Sequence, residues 1–184
     1  MDTLNKYKRL PESGLNYLES LYKNNTPGAF HTYRAFDLFI IAIDAGLFTW
    51  QNTLDSEQRL QWLEAHKPLK STLQLAEMPH KLVYTESGPI KTQQHLAYWC
   101  ICASTYLGLD RGPKETTYWE PFEDLFQLPR RTMSRATAPL DLDRDSEGRP
   151  LRDSKGWPIA REEYTKEITA FFNALETALN TDNQ

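Results

Sequence analysis

Four ionisable side chains in one apolar segment could act as acids, bases or metal ligands. His31, Arg34, Asp37 and Asp44 fall on nearly the same stripe of a helix predicted to run to about Ala45. If that stripe were buried, two desolvated carboxylates beside an arginine and a histidine would suit acid–base chemistry. The alternative is a solvated edge on which Arg34 and Asp37 pair locally, and it is favoured because buried acids are rare. An enzyme built on these residues is the third of three functional hypotheses.

Two cysteines offer a second place for chemistry. Cys100 and Cys102 are two residues apart, so on a helix their sulfurs point about 200 degrees apart and cannot share a metal or a disulfide. His95 shares a face with Cys102, but two ligands from one helix do not fill a tetrahedral zinc shell. Glycine-rich phosphate loops and familiar catalytic motifs are also missing. The sequence therefore predicts small core thiols, no metal and no cofactor.

Alternating aspartates resemble the start of a calcium loop. Asp141, Asp143 and Asp145 have the right spacing, but such a loop needs glycine at its sixth place and glutamate at its twelfth. This chain has Ser146 and Arg152 there. We therefore expect no calcium site.

A basic strip follows residue 129. Residues 129–161 include eight basic and five acidic side chains, although the chain carries a net charge of −4. Arg130, Arg131 and Arg135 lie in the stretch 130–140, which has no acid. A locally basic strip on an acidic body can contact an anionic partner.

The residues around this strip have a recognisable pattern. Positions 128–133 read Leu-Pro-Arg-Arg-Thr-Met, which resembles the aliphatic-Pro-Arg-x-Thr-Leu run of pipsqueak-type helix-turn-helix domains. The resemblance covers residues 122–135. It implies that Pro129 starts a second helix, that Leu128 and Met133 pack, and that the three arginines face DNA. The chain departs from the family's small residues and turn glycine at Glu123, Asp124 and Gln127.

An eight-residue unit occurs twice in residues 144–159. The copies read Arg-Asp-Ser-Glu-Gly-Arg-Pro-Leu and Arg-Asp-Ser-Lys-Gly-Trp-Pro-Ile. Their glycines and prolines exclude a helix, and Asp145 and Asp153 each favour a type I turn. We predict a turn-rich arm over 140–159, with disorder as the alternative. Against disorder, the apolar side chains of Leu151 and Ile159 are expected to dock on the body. Arg149 and Trp157 occupy equivalent places, where they could contact a partner; Trp157 could instead anchor the arm to the body.

The elements that must position these residues are predicted to be helices. Hydrophobic periodicity and capping residues predict an all-α, single-domain bundle of six or seven helices over residues 1–184. Residues 80–85 could be a strand or extended chain. The predicted helices cover residues 13–23, 29–45, 55–66, 69–78, 93–107, 118–128 and 160–180, with 29–45 and 93–107 at the centre and 160–180 closing the bundle. Thr26 and Thr92 are the predicted caps of the two central helices, Asp55 is expected to form a capping box with Gln58, and Gly108 is expected to end 93–107 in a Schellman stop.

These patterns favour a non-catalytic protein. The longest apolar stretch is too short to cross a bilayer, no secretion signal is evident and there are only two cysteines, so we expect a cytoplasmic protein without a membrane partner. The leading hypothesis is an adaptor, inhibitor or immunity-type protein that binds another macromolecule through the basic strip and the turn arm, with a protein as the favoured partner. A DNA-binding regulator that uses residues 122–135 is the alternative. The expected contacts are Arg130, Arg131, Arg135, Arg149 and Trp157.

Overall fold

Two apolar helices packed beside a short antiparallel sheet form the centre of the fold. The computed structural model describes residues 12–181. Within that range it contains seven α-helices and two paired strands, so the all-α prediction is wrong and the fold is mixed. The helices are α1 (Glu12–Asn25), α2 (Tyr33–Asp44), α3 (Ser56–Ala65), α4 (Gln93–Leu107), α5 (Glu120–Phe126), α6 (Thr132–Arg135) and α7 (Glu162–Thr181); the strands are β1 (Phe48–Asn52) and β2 (His80–Tyr84).

The sheet pairs two segments that are distant in sequence. Phe48 lies opposite Tyr84, and Trp50 lies opposite Leu82. β1 is rich in aromatic and β-branched residues, which suit a pleated surface. It follows a reversal at Gly46, whose φ of 81° is in the left-handed region. From the sequence, β2 was predicted as either a strand or extended chain and β1 was not predicted, because the pairing depends on contacts outside each strand.

α4 begins and ends where its local signals predict. The Thr92 hydroxyl accepts a hydrogen bond from the His95 N–H at the start. At the end, Gly108 has a φ of 70° and the Leu109 N–H donates to the Ser104 carbonyl at 2.8 Å. These bonds form the predicted Schellman stop.

α2 begins later than predicted. The expected start at Thr26 is wrong, because its hydroxyl donates to the Tyr22 carbonyl at the end of α1, at 2.7 Å. A 3-10 turn, Gly28–Phe30, follows. Thr32 is the cap of α2, and its hydroxyl accepts the Ala35 N–H. The predicted helix over 69–78 is likewise a 3-10 helix, Thr72–Glu77.

The core is built around Trp99 of α4, which is fully buried. Its ring centroid lies 5.6 Å from that of Phe39 on α2 and 4.7 Å from that of Phe48 on β1. The ring centroid of Phe172 on α7 lies 5.7 Å from that of Trp99. α7 therefore closes the core as predicted. None of the helices in the described range has the length and apolar character needed to cross a bilayer.

Candidate functional site

Both copies of the repeated unit fold into the same turn. In the first copy, the Asp145 N–H donates to the Arg149 carbonyl at 2.9 Å, and the Gly148 N–H donates to the Asp145 carbonyl at 3.1 Å. The equivalent bonds in the second copy measure 2.9 and 3.0 Å. Gly148 and Gly156 have φ values of 81° and 93°, which strain any residue with a Cβ. The predicted turns at Asp145 and Asp153 are therefore confirmed, as turns that each contain a left-handed glycine.

The aspartate at the second place of each copy, Asp145 or Asp153, has a structural role. Oδ1 of Asp145 accepts the backbone N–H groups of Glu147 and Arg149, both at 2.9 Å. The same two bonds recur at Asp153, at 2.9 and 3.0 Å. The backbone N–H of Arg149, helped by the Arg149 side chain, holds the pKa of Asp145 below its ordinary value. These carboxylates cap their own turns.

Three equivalent positions tie the two turns into one unit. The Asp143 N–H donates to the Ile159 carbonyl at 3.0 Å, and the Leu151 N–H donates to the Asp143 carbonyl at 2.8 Å. The Ile159 N–H completes the ring by donating to the Leu151 carbonyl at 2.8 Å. The positions are eight residues apart, so the ring follows the period of the repeat. The turn arm, residues 140–159, is thus regularly hydrogen-bonded.

The second copy fastens the turn arm to the body. Trp157 is only 2% exposed, and its ring centroid lies 5.0 Å from that of Phe172 on α7. Its indole N–H donates to Oδ1 of Asn173 at 2.7 Å. The hydroxyl of the buried Tyr98 donates to the Pro158 carbonyl at 2.8 Å. Of the two interpretations of Trp157, the anchor is the one that these contacts support.

Arg149, at the equivalent place, faces solvent. Its Nε lies 2.8 Å from Oδ2 of Asp145, and its Nη2 lies 3.2 Å from Oε2 of Glu147. Both acids belong to the same turn. Arg149 therefore offers a partner a guanidinium whose charge is largely compensated locally.

Arg130 is also compensated by its own surroundings. Its Nη2 lies 2.8 Å from Oδ1 of Asp124 and 3.3 Å from Oε1 of Glu120. Its Nη1 lies 3.8 Å from the buried Glu123. A phosphate or a partner carboxylate would have to compete with these acids for Arg130.

Arg135 is the last residue of α6, the shortened second helix of the predicted helix-turn-helix segment, and Arg131 directly precedes that helix. Met133 is buried as the resemblance implies, but α6 begins three residues after Pro129. With four residues α6 is about 6 Å long, whereas the major groove is about 12 Å wide. Both arginines are exposed, and their side chains form no hydrogen bond or ion pair with the described residues.

The acidic stripe of α2 is divided between two environments. Asp37 is buried, whereas Asp44 and His31 are exposed. Nε of Arg34 donates to the Tyr106 carbonyl at 2.8 Å, and its guanidinium carbon lies 3.8 Å from the centre of the Tyr106 ring. The two carboxylates therefore do not form a desolvated acid pair.

Cys100 and Cys102 are free, fully buried thiols. Burial raises the pKa of each thiol well above its ordinary value, which disfavours the reactive thiolate. His95 is held by Oγ1 of Thr92 at 2.8 Å and by the Glu163 carbonyl at 3.2 Å. Across the part of the chain that the structure describes, no three histidine, cysteine or acidic residues are grouped to hold a metal.

The exposure of two aliphatic residues of the turn arm, and the lack of ion pairs at two of its cations, were not predicted from the sequence. Leu151 and Ile159, expected to dock on the body, are 43% and 38% exposed. Arg144 and Lys155 form no ion pair with the described residues. Aligning the two copies could have identified Leu151 and Ile159 as equivalent, but not their exposure, because the body decides which side of the turn arm is covered.

Comparison with protein-family models, curated proteins and solved structures finds no match for this chain.

Proposed function

We propose that the protein is a non-catalytic, protein-binding adaptor or inhibitor whose contact surface is the outer side of the turn arm. The observation that carries the proposal is that the repeat has both a buried anchor and exposed apolar residues. The second copy is anchored through Trp157, while Leu151 and Ile159 stay exposed on the ordered backbone ring. Exposed aliphatic side chains on two residues joined by a backbone hydrogen bond are suited to burial against a partner.

Preorganisation favours binding at this surface. A flexible loop loses conformational entropy when it binds, which reduces its affinity. The turn arm has already lost that entropy, because its backbone bonds and the Trp157 anchor hold it in place. Contacts made by Leu151 and Ile159 would therefore contribute to affinity without a large ordering cost.

The surrounding charge indicates an acidic partner. Four cations within residues 129–161 have no ion-pair partner among the described residues. In the same stretch only two exposed acids, Asp143 and Asp153, lack an ion-pair partner among the described residues. The balance is positive, so an acidic surface would be steered towards it. The four cations are Arg131, Arg135, Arg144 and Lys155.

A photo-crosslinking experiment tests the proposal. A benzophenone amino acid replaces Leu151 on the turn arm, or Leu60 on α3 as a control that is 64% exposed. We expect one dominant protein adduct from position 151, absent from position 60, and reduced at least tenfold by Ile159→Asp. Matching adduct patterns at 151 and 60, or insensitivity to Ile159→Asp, would overturn the proposal.

DNA binding is the second candidate, supported by the exposure of Arg131 and Arg135. A DNA-binding protein should retain a duplex with an affinity that falls steeply with salt. The double variant Arg131→Gln/Arg135→Gln should then lower both the affinity and the salt slope. Duplex retention that is absent, or unchanged in the double variant, counts against this candidate. The short α6 and the compensated Arg130 make it the weaker of the two.

The proposal also assigns the protein to the cytoplasm, which its two free thiols support. Cell fractionation tests this assignment, and recovery from an oxidising compartment would contradict it.

A further inference from the structure

The two copies of the repeat provide an internal comparison of two arginines. Nη1 of Arg144 donates to the Gly148 carbonyl at 3.0 Å, and Nη1 of Arg152 donates to the Gly156 carbonyl at 3.1 Å. Each arginine also pairs across its turn with the proline six residues later. The backbone and the first hydrogen bond of the guanidinium are therefore the same in both copies.

The copies differ in the further ion pairs and hydrogen bonds that the guanidinium forms. Nη2 of Arg152 lies 3.6 Å from Oδ2 of Asp110 and 3.6 Å from Oε2 of Glu115. Its Nη1 also donates to Oγ1 of Thr105 at 3.2 Å. Arg144 has no such partner: it is exposed, and its side chain bonds only to the carbonyl of its own turn among the described residues.

Arg144 and Arg152 line one small cleft between the turn arm and the loop after α4. The cleft has a volume of about 100 Å³. Its lining also includes Thr116 and Thr117, whose side chains form no hydrogen bond with the described residues, and Leu142. A drug-sized ligand needs about 300 Å³ or more, whereas a carboxylate on one or two methylene groups is much smaller.

We propose that this cleft binds a carboxylate on a short methylene chain, with Arg144 as its ion-pair partner. The ligand takes the position relative to Arg144 that Asp110 takes relative to Arg152, and an arginine guanidinium suits a carboxylate because its donors can bind both oxygens. The carboxylate comes either from an acidic side chain of the protein partner, which rests on the proposed function, or from a free small acid. Asp110 and Glu115 both line the cleft and oppose binding. Asp110 is compensated by hydrogen bonds from the Ser104 and Thr105 hydroxyls and by Arg152, so Glu115 is the less compensated of the two and a single carboxylate is expected.

Nuclear magnetic resonance of the arginine Nε–H groups tests the cleft directly. The intact chain is titrated with sodium acetate, and separately with sodium chloride at matched ionic strength. We expect acetate to shift the Arg144 signal saturably while the Arg149 signal stays unchanged. Arg144→Gln should abolish saturable binding, Arg149→Gln should leave it unchanged, and Glu115→Gln should lower the half-saturation concentration severalfold.

Two outcomes would overturn the inference: equal shifts with chloride and acetate, or parallel shifts of all exposed arginines. A second titration, with glutamate blocked at its amino and α-carboxyl groups, distinguishes the sources. Binding of the blocked glutamate at least as tightly as acetate supports a partner side chain, and binding of acetate alone supports a free acid. If neither probe binds, the cleft inference fails, whereas crosslinking through position 151 would still support the proposed protein interface.

Discussion

The variants Trp157→Ala and Arg149→Ala test whether Trp157 anchors the turn arm while Arg149, at the equivalent place of the other copy, does not. Trp157 is 2% exposed, packs on Phe172 and donates to Asn173. Truncation of a buried tryptophan to alanine lowers the free energy of unfolding by about 3–5 kcal/mol. Arg149 forms only exposed ion pairs within its own turn, and such pairs contribute about 0–1 kcal/mol. The two variants should therefore differ by at least about 2 kcal/mol.

Urea unfolding followed by far-ultraviolet circular dichroism measures this difference. Trp157→Phe should be intermediate, because it keeps an aromatic ring but loses the hydrogen bond to Asn173, worth about 1 kcal/mol. If Trp157→Ala and Arg149→Ala unfold within 1 kcal/mol of each other, roughly the range of an exposed pair, Trp157 is not an anchor. Unchanged stability together with loss of the position-151 crosslink would instead make Trp157 a partner contact.

Three further predictions concern local features of the fold. Asp55→Ala removes a capping box and should lower the free energy of unfolding by about 1 kcal/mol in thermal melts, whereas no change would mean that α3 does not need its cap. Cys100 and Cys102 should resist a thiol reagent at neutral pH until the protein unfolds, and native labelling at the rate of a peptide thiol would contradict their burial. A titration followed by the NMR signal of the Asp145 carboxyl carbon should give a pKa below the ordinary aspartate value, and this pKa should rise in Arg149→Gln. The depressed pKa means that the turn gains stability above the unfolded-state pKa and loses it as the pH falls through the folded value; a normal pKa unaffected by Arg149→Gln would contradict the observed bonds.

Local signals were sufficient for the ends of several helices. The Thr92 cap, the Gly108 stop and the Asp55 capping box all use hydrogen bonds between residues a few positions apart. Such bonds form wherever the segment folds, so the sequence alone indicates them. Thr26 shows the limit of this reasoning, because an equally good cap signal was used to end α1 instead.

Pairing over long sequence separations could not be predicted in this way. β1 is a strand because β2 lies beside it, and many residues separate the two. The same is true of Asp37 and Asp44, which share a helix stripe but differ in burial, because neighbouring elements decide what is covered. Periodicity in the sequence predicts which residues share a face of a helix, whereas packing against other elements determines whether that face is buried.

The repeated unit shows the contribution of the local sequence and that of the tertiary structure in the same segment. Its sequence determined two turns, because aspartate caps the backbone and glycine alone adopts a left-handed φ without strain. The tertiary structure decided that Trp157 turns inward while Arg149 remains outside. It also decided that Arg152 meets Asp110 while Arg144 meets no acid among the described residues. The physical reason is that identical local backbone bonds form in both copies, whereas distant parts of the chain supply Trp157 and Arg152 with side-chain partners that Arg149 and Arg144 lack.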